Sequence, residues 1–361
     1  MRLRFCRILA LPAVLLAIAF PFLLPRFAEN EPRIRGINPL ATPSNGWGAT
    51  LESIPSQADR TIIVTGANTG LGFHSSRILA EKGARVIMAC RSAKKCAAAV
   101  ERIRASIDHA SVRAMTLDLA SLASVKSFAD TLDDIDSIDA LMLNAGVMAC
   151  PYTLSADGIE LQFAVNHVGH FYLTQLLLPK IEKAASAGKM TMIVSVSSSA
   201  SFNTYEPAGV KLSLDAINDP AAYDARRAYG QSKLSNILFA KELQYRNPGT
   251  IVTAVHPGLV ETELARHIYD RLPFALRSFG EALFSLFTSV GLAWSPKDAA
   301  LSQVFASSVS QQLFDDKEKW KGAFVVPIAR RSEPPHHAKN ATLQKALWRF
   351  TEQLLASKLQ S

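Results

Sequence analysis

The sequence predicts an α/β chain whose core is one doubly wound parallel sheet of about seven strands, with helices on both faces and an N-terminal membrane segment ahead of it. Three observations predict this. Short apolar runs rich in β-branched residues recur from residue 61 onward, helical patterning separates most of them, and a glycine-rich turn follows the first run. Strands alternating with helices imply right-handed crossovers, and therefore a parallel sheet covered on both sides.

The expected strands are 61–64, 85–89, 112–117, 139–143, 191–196, 251–256 and 323–327. Between them, helices are expected to start at Leu71 and to cover 93–107, 122–132, 158–183 and 224–245. No internal repeat is apparent, so residues 59–355 are expected to form one domain. Residues 26–58 are rich in Pro, Asn, Ser and Gly and read as a linker or an arm lying over that domain.

The first 25 residues differ from the rest. Arg2, Arg4 and Arg7 precede Ile8–Pro25, an 18-residue stretch without charge, just long enough to cross a bilayer as a helix. A cleaved signal peptide is the rival, with Ala17 and Ala19 as the small residues of a cleavage site. The apolar run continues past them through Phe20, Phe22, Leu23 and Leu24, which favours an uncleaved anchor. Arg26, Arg33 and Arg35 balance the three arginines on the near side, so orientation stays open.

Hydrophobic residues make up 48% of the chain and charged ones 19%, which supports a buried core and excludes global disorder. The net charge of +8 is scattered, as on a solvated basic surface, and no nucleic-acid partner is expected. Cys6, Cys90, Cys96 and Cys150 form no C-x-x-C pair, so neither zinc nor a disulfide framework is expected.

The turn TGANTGLG, Thr65–Gly72, lies between a strand and a helix start, the setting of a dinucleotide site, though its spacing is not G-x-G-x-x-G. Gly66 permits the tight turn, Gly70 lets the backbone approach a pyrophosphate, and Gly72 allows close helix packing. Asn68, Thr69 and Leu71 complete the turn, and the helix start offers N–H groups to an anion. A site for NAD usually carries an acid at the end of the second strand. Here Arg91 stands there, with Lys94 and Lys95 beyond it, and a guanidinium pairs bidentately with a 2′-phosphate. The expected cofactor is therefore NADP(H). Asp118, after the third strand, is placed to accept from the adenine amino group or to cap the following helix. Asn144, Ala145 and Gly146, after the fourth, let a cofactor cross the sheet.

Tyr229 and Lys233 stand four apart, one above the other on a helix face. Taken alone such a pair describes many surface helices. An ammonium beside a phenol lowers its pKa and makes a general acid for carbonyl reduction or a base for alcohol oxidation. Ser197, Ser198 and Ser199 follow the fifth strand at the carboxyl end of the sheet, where ligands bind in such folds. Asn166 is a poor helix former inside an apolar run.

Together these motifs resemble the short-chain dehydrogenase/reductase superfamily, and within it the retinol dehydrogenase group. The matching stretches are TGANTGLG, ACR, LDLASL, LNAG, NHVGHF, VSVSSSA, YGQSKL and HPGLVETEL, spanning residues 61 to about 264. Weaker similarity runs from FVVPIAR to ALWRF. The resemblance implies a single Rossmann-type domain and assigns roles. Tyr229 would exchange the proton, and Lys233 would lower its pKa and hold the nicotinamide ribose. Ser198 falls at the catalytic serine, and Asn166 would hold a water linking Lys233 to solvent. Pro257 and Gly258 would border the nicotinamide, with Val260 and Thr262 at its carboxamide. Ser195 and Leu143 depart from the usual asparagines, and the step of 31 positions from Ser198 to Tyr229 is long for the superfamily.

Beyond Glu263, Leu276, Phe279, Leu283 and Phe287 recur at helical spacing, with Phe284 and Leu286 widening the apolar face. This is where the family carries its substrate lid, so the expected substrate is lipophilic: a retinoid, steroid or fatty aldehyde. The resemblance also implies residence at the endoplasmic reticulum or a related endomembrane, and it allows a homodimer. Two other readings share much of the pattern: a light-dependent protochlorophyllide reductase, and a non-catalytic scaffold that senses NADP(H).

Overall fold

The computed structural model of the chain describes residues 49–258, 260, 294–309 and 315–360. Among them, eight strands form one sheet in the order β3-β2-β1-β4-β5-β6-β7-β8. The strands are β1 (Thr61–Thr65), β2 (Arg85–Cys90), β3 (Ser111–Thr116), β4 (Ala140–Leu143), β5 (Met192–Val196), β6 (Ile251–Val255), β7 (Phe324–Val326) and β8 (Arg330–Ser332). The first seven pair in parallel, and β8 joins β7 antiparallel at the edge. The expectation of about seven strands is thus corrected by one. Arg330-Arg331-Ser332 carries no β pattern of its own, and its extended form comes from pairing with Phe324–Val326.

Strand side chains alternate between two cores, as a period of two requires. Ile63, Ile87 and Leu141 point to one, while Ile62, Val86 and Ala140 point to the other. Helices α1 (Gly70–Glu81), α2 (Ala93–Arg104) and α6 (Pro296–Ser307) cover the second core. Helices α3 (Leu122–Asp130), α4 (Gly169–Ser186), α5 (Ala225–Arg246) and α7 (Ala341–Leu359) cover the first. The helix expected over 158–183 begins as the short turn Leu161–Phe163, passes through a π-turn at Ala164–Val168, and only then becomes α4. Several starts follow from capping side chains. Ser92 accepts from the Lys95 amide, Ser121 from that of Ser124, and Asp224 from those of Arg226 and Arg227.

The end of the expected arm packs on this body: Ile54 is fully buried in the second core, and the Gln57 amide donates to the Lys82 carbonyl at 2.7 Å. The expected membrane segment 1–25, the apolar stripe Leu276–Phe287 and Thr262 lie outside the described residues. Among the described residues, no helix is long and apolar enough to cross a membrane.

Candidate active site

Strand order reverses between β1 and β4, which opens a crevice beyond their carboxyl ends. Thr65 ends β1 there, and its Oγ1 accepts the amides of Asn144 and Ala145, each at 2.9 Å. Asn144 Nδ2 donates back to Thr65 O at 2.8 Å, while Asn144 Oδ1 accepts from Gln303 Nε2 at 3.1 Å. The Asn144 side chain is therefore committed to lacing the glycine turn to the loop after β4. Two glycines make this closeness possible. A Cβ on Gly66 would sit 2.8 Å from Ala145 Cα, and one on Gly72 would sit 2.3 Å from Gly66 O.

Thr69 precedes α1 without any side-chain hydrogen bond to the helix, unlike Ser92 and Ser121 at their helices. A helix start left without a side-chain cap keeps its amide dipoles for an anion. The predicted residues Gly66, Asn68–Gly72, Arg91, Asp118 and Asn144–Gly146 line a single cleft of about 450 Å³. Lys95 lines it too, one turn along α2 from the exposed Arg91. Leu161 and Val165 also line it and were not legible as site residues.

Two expectations need correction here. Cys90 and Cys96 form a disulfide with Cα atoms 5.9 Å apart. Their spacing matches no sequence motif, but the turn from β2 into α2 brings the two ends together around Arg91. Asp118 is not the cap of α3, which is Ser121. Its Oδ1 instead accepts from the Ala120 amide at 3.0 Å and shapes the loop.

The second group of predicted residues gathers beside this cleft. Tyr229 and Lys233 stand one turn apart on α5, only 6% and 3% exposed. A Cβ on Gly230 would lie 1.9 Å from Asn203 O, so α5 and the 3₁₀ turn Ser199–Phe202 meet backbone to backbone. That contact brings Ser198 into hydrogen-bonding range of the Tyr229 hydroxyl. Ser197 faces elsewhere, its Oγ donating to Lys233 O at 2.7 Å. Gly146 joins the two halves: a Cβ there would lie 3.1 Å from Asn166 Oδ1 and 3.5 Å from Lys233 Nζ.

Asn166 sits in the π-turn, where Oδ1 accepts from the Val147 amide at 2.8 Å. Its Nδ2 donates to Val147 O and to Ser232 Oγ, each at 2.9 Å. The side chain is thus engaged, and the Asn166 carbonyl accepts from His170 Nδ1 at 3.1 Å.

Lys233 Nζ donates to Val196 O at 2.9 Å and lies 5.8 Å from the centre of the Tyr229 ring. Burial pulls Lys233 down to about 7 and pushes the Tyr229 phenol up to about 12, against the Ser198 hydrogen bond. The expected lowering of Tyr229 by Lys233 is therefore reversed. The ammonium is itself desolvated and engaged with Val196, and loss of water around the phenol outweighs it.

Pro257 and Gly258 follow β6 and do not line the cleft; Val260 forms a parallel bridge with Trp294. His256 opens the stretch HPGLVETEL, and nothing in its local sequence marks its role. Its Nδ1 accepts from the Ser199 amide at 3.2 Å and from the Gly258 amide at 3.3 Å. Gln303 had no local signal at all, because its partners Ser75 and Asn144 are distant in the chain.

Residues 60–210 match the family model described as short chain dehydrogenase. Retinol dehydrogenase 13 of Mus musculus is 36% identical over 308 residues, covering 83% of this chain and 86% of that protein. Short-chain dehydrogenase TIC 32 A, chloroplastic, of Brassica napus is 35% identical over 321 residues, covering 86% and 94%. Among solved structures, an uncharacterized protein from Mycobacterium Paratuberculosis superposes with a TM-score of 0.64 at 33% identity, covering 86% of this chain and 98% of that one.

Proposed function

This chain belongs to the short-chain dehydrogenase/reductase superfamily, within its retinol dehydrogenase-like group, and from that membership we propose an NADP(H)-dependent enzyme that interconverts a carbonyl and an alcohol on a lipophilic substrate. The observation that carries the reading is the meeting of the half-buried Ser198 with the buried Tyr229 and Lys233 beside a cleft whose outer wall carries Arg91 and Lys95. The uncapped start of α1 suits a pyrophosphate. Arg91 and Lys95 suit a 2′-phosphate, and Arg91 stands at the end of β2, where a site for NAD usually carries an acid. A bound nicotinamide dinucleotide supplies the hydride.

The chain supplies the proton. In reduction, the Tyr229 hydroxyl donates to the carbonyl oxygen as it gains negative charge, and a phenol held near 12 is protonated at neutral pH for that task. Ser198 steadies the same oxygen. Lys233, desolvated to about 7, gives up a proton more readily than a free ammonium, so it returns one to the Tyr229 phenolate after transfer and is recharged from solvent. Asn166, whose side chain ties the π-turn to Val147 and Ser232, is the residue we assign to the water that links Lys233 to solvent. In oxidation the steps run backward, with the Tyr229 phenolate as base.

The lipophilic substrate class draws support from the relative named for retinol and from the apolar stripe Leu276–Phe287. Membrane attachment through residues 1–25 at an endomembrane belongs to the same proposal, and carbonate extraction of the full chain tests it. The decisive experiment is turnover of retinoid, steroid and fatty aldehydes with NADPH and with NADH, by wild type and Tyr229→Phe. Turnover of a lipophilic aldehyde with NADPH, reduced about 10²-fold or more in Tyr229→Phe, is expected. An unchanged Tyr229→Phe rate, or preference for small polar carbonyls, overturns the reading.

A further inference from the structure

Strands β5 and β6 run side by side, with Val196 opposite Val255. The two chains therefore leave the sheet together, one toward Ser198 and the other toward Pro257 and Gly258. The ladder continues one step further, as Ser197 N donates to Val255 O at 2.7 Å and His256 N donates to Val325 O at 2.7 Å. Past that point a side chain links them. His256 Nδ1 accepts from the Ser199 amide at 3.2 Å and from the Gly258 amide at 3.3 Å, and the imidazole is 5% exposed.

We infer that His256 is a positioning residue whose Nδ1 ties the turn bearing Ser198 to the loop bearing Pro257 and Gly258, and so sets the reacting hydroxyls against the nicotinamide half of the cofactor. This rests on the reading proposed above. A nitrogen that accepts two N–H groups carries no proton, so the ring is neutral with its hydrogen on Nε2. Burial enforces that form by holding the group near 4. Both tied ends are otherwise constrained. Ser199 opens the turn pressed on Gly230, and Gly258 has φ 93° with its α-carbon packed against Trp294. One atom thus fixes the separation of two stiff loops.

The side-chain geometry gives a sharp test. Asparagine Oδ1 stands one bond beyond Cγ, as histidine Nδ1 does, and accepts two hydrogen bonds. Glutamine Oε1 lies one bond further out, and leucine accepts none. Full-length wild type, His256→Asn, His256→Gln and His256→Leu are compared by NADPH fluorescence titration, by kcat with a lipophilic aldehyde, and by amide hydrogen exchange over 197–203 and 255–258. Adenosine 2′,5′-bisphosphate, which lacks the nicotinamide half, is titrated in parallel.

His256→Asn is expected to match wild type. His256→Leu and His256→Gln are expected to weaken NADPH and lower kcat by about tenfold or more, from the loss of two part-buried hydrogen bonds. They should speed exchange of both segments and leave the bisphosphate unaffected. Leucine and glutamine variants that match wild type, or a bisphosphate affinity that falls in step with NADPH, overturn the assignment. If His256→Leu does not fold, the Asn and Gln pair alone decides, because only geometry separates them. A wild type that binds no nicotinamide dinucleotide removes the proposed function itself, whereas wild-type binding with indifferent His256 variants removes this inference alone.

Discussion

Lys233 Nζ lies 5.8 Å from the centre of the Tyr229 ring and gives its hydrogen bond to the Val196 carbonyl, not to the phenol. Tyr229 is consequently governed by burial, at about 12, while Lys233 sits at about 7. A donor held that high is ready for reduction and poorly ionised for oxidation. Carbonyl reduction should not be lost through Tyr229 between pH 7 and 9 and should decline only as Lys233, at about 7, loses its proton, whereas alcohol oxidation should rise about tenfold per pH unit as the phenolate fraction grows. Steady-state rates in both directions at saturating cofactor check this. A plateau of oxidation below pH 8 would show that Tyr229 titrates far lower in the working enzyme.

Arg91 stands exposed on the cleft wall, with Lys95 one turn beyond it. Arg91→Glu removes a bidentate partner for a 2′-phosphate and adds a repelling charge. NADPH affinity should fall about 10- to 100-fold, with NADH affinity unchanged or improved. Paired fluorescence titrations measure it, and equal losses for both nucleotides would mean that Arg91 does not discriminate.

Gly230 permits a backbone contact that no side chain tolerates, since a Cβ would fall 1.9 Å from Asn203 O. Gly230→Ala should lower stability by about 1–3 kcal/mol, the usual cost of overpacking. It should also depress kcat more than NADPH binding, because the turn it displaces carries Ser198. Thermal melts alongside kcat and Kd separate the two effects, and a wild-type kcat would sever the link between this contact and the serine.

Burial holds His167 and His170 down to about 3 and His256 to about 4. An unfolded histidine titrates near 6.5. Below that pH the unfolded chain takes up protons that the folded chain refuses, so stability should fall as pH drops from about 6.5 toward 4. Above 6.5 these residues are neutral in both states and add no pH dependence. Each contributes up to about 1.4 kcal/mol per pH unit on the acid side. Urea midpoints at pH 7.5 and 5 report the loss. Midpoints that agree would show that the three rings are not buried neutral.

Much of the fold was legible because each internal strand is apolar on both faces and flanked by turn residues. Ile62–Thr65 and Met192–Val196 announce themselves by composition, and Asp224 marks the start of α5 by its capping chemistry. The edge strand Arg330–Ser332 and the helices Pro296–Ser307 and Ala341–Leu359 were not read from local pattern. The first owes its conformation to a partner strand, and α6 is buried across both its faces, which erases the amphipathic stripe. In the candidate site, Gly66, Gly72 and Tyr229 were readable as types in a spacing. The roles of Asp118 and Asn144 were not, since their partners are set by loops that only close in space.

Composition and local spacing by themselves determined the alternating strand and helix plan, the glycine turn after β1, the basic residue at the end of β2 and the Tyr-Lys step on one helix face. These follow from backbone sterics and helical periodicity, which act over a few residues. The tertiary structure alone decided that Cys90 bonds Cys96, that the Asn166 side chain is fully engaged, and that one nitrogen of His256 joins two loops. It also decided the direction in which Tyr229 titrates. Desolvation and hydrogen-bond partnership depend on what the remote parts of the chain place around a group, and no local spacing records that.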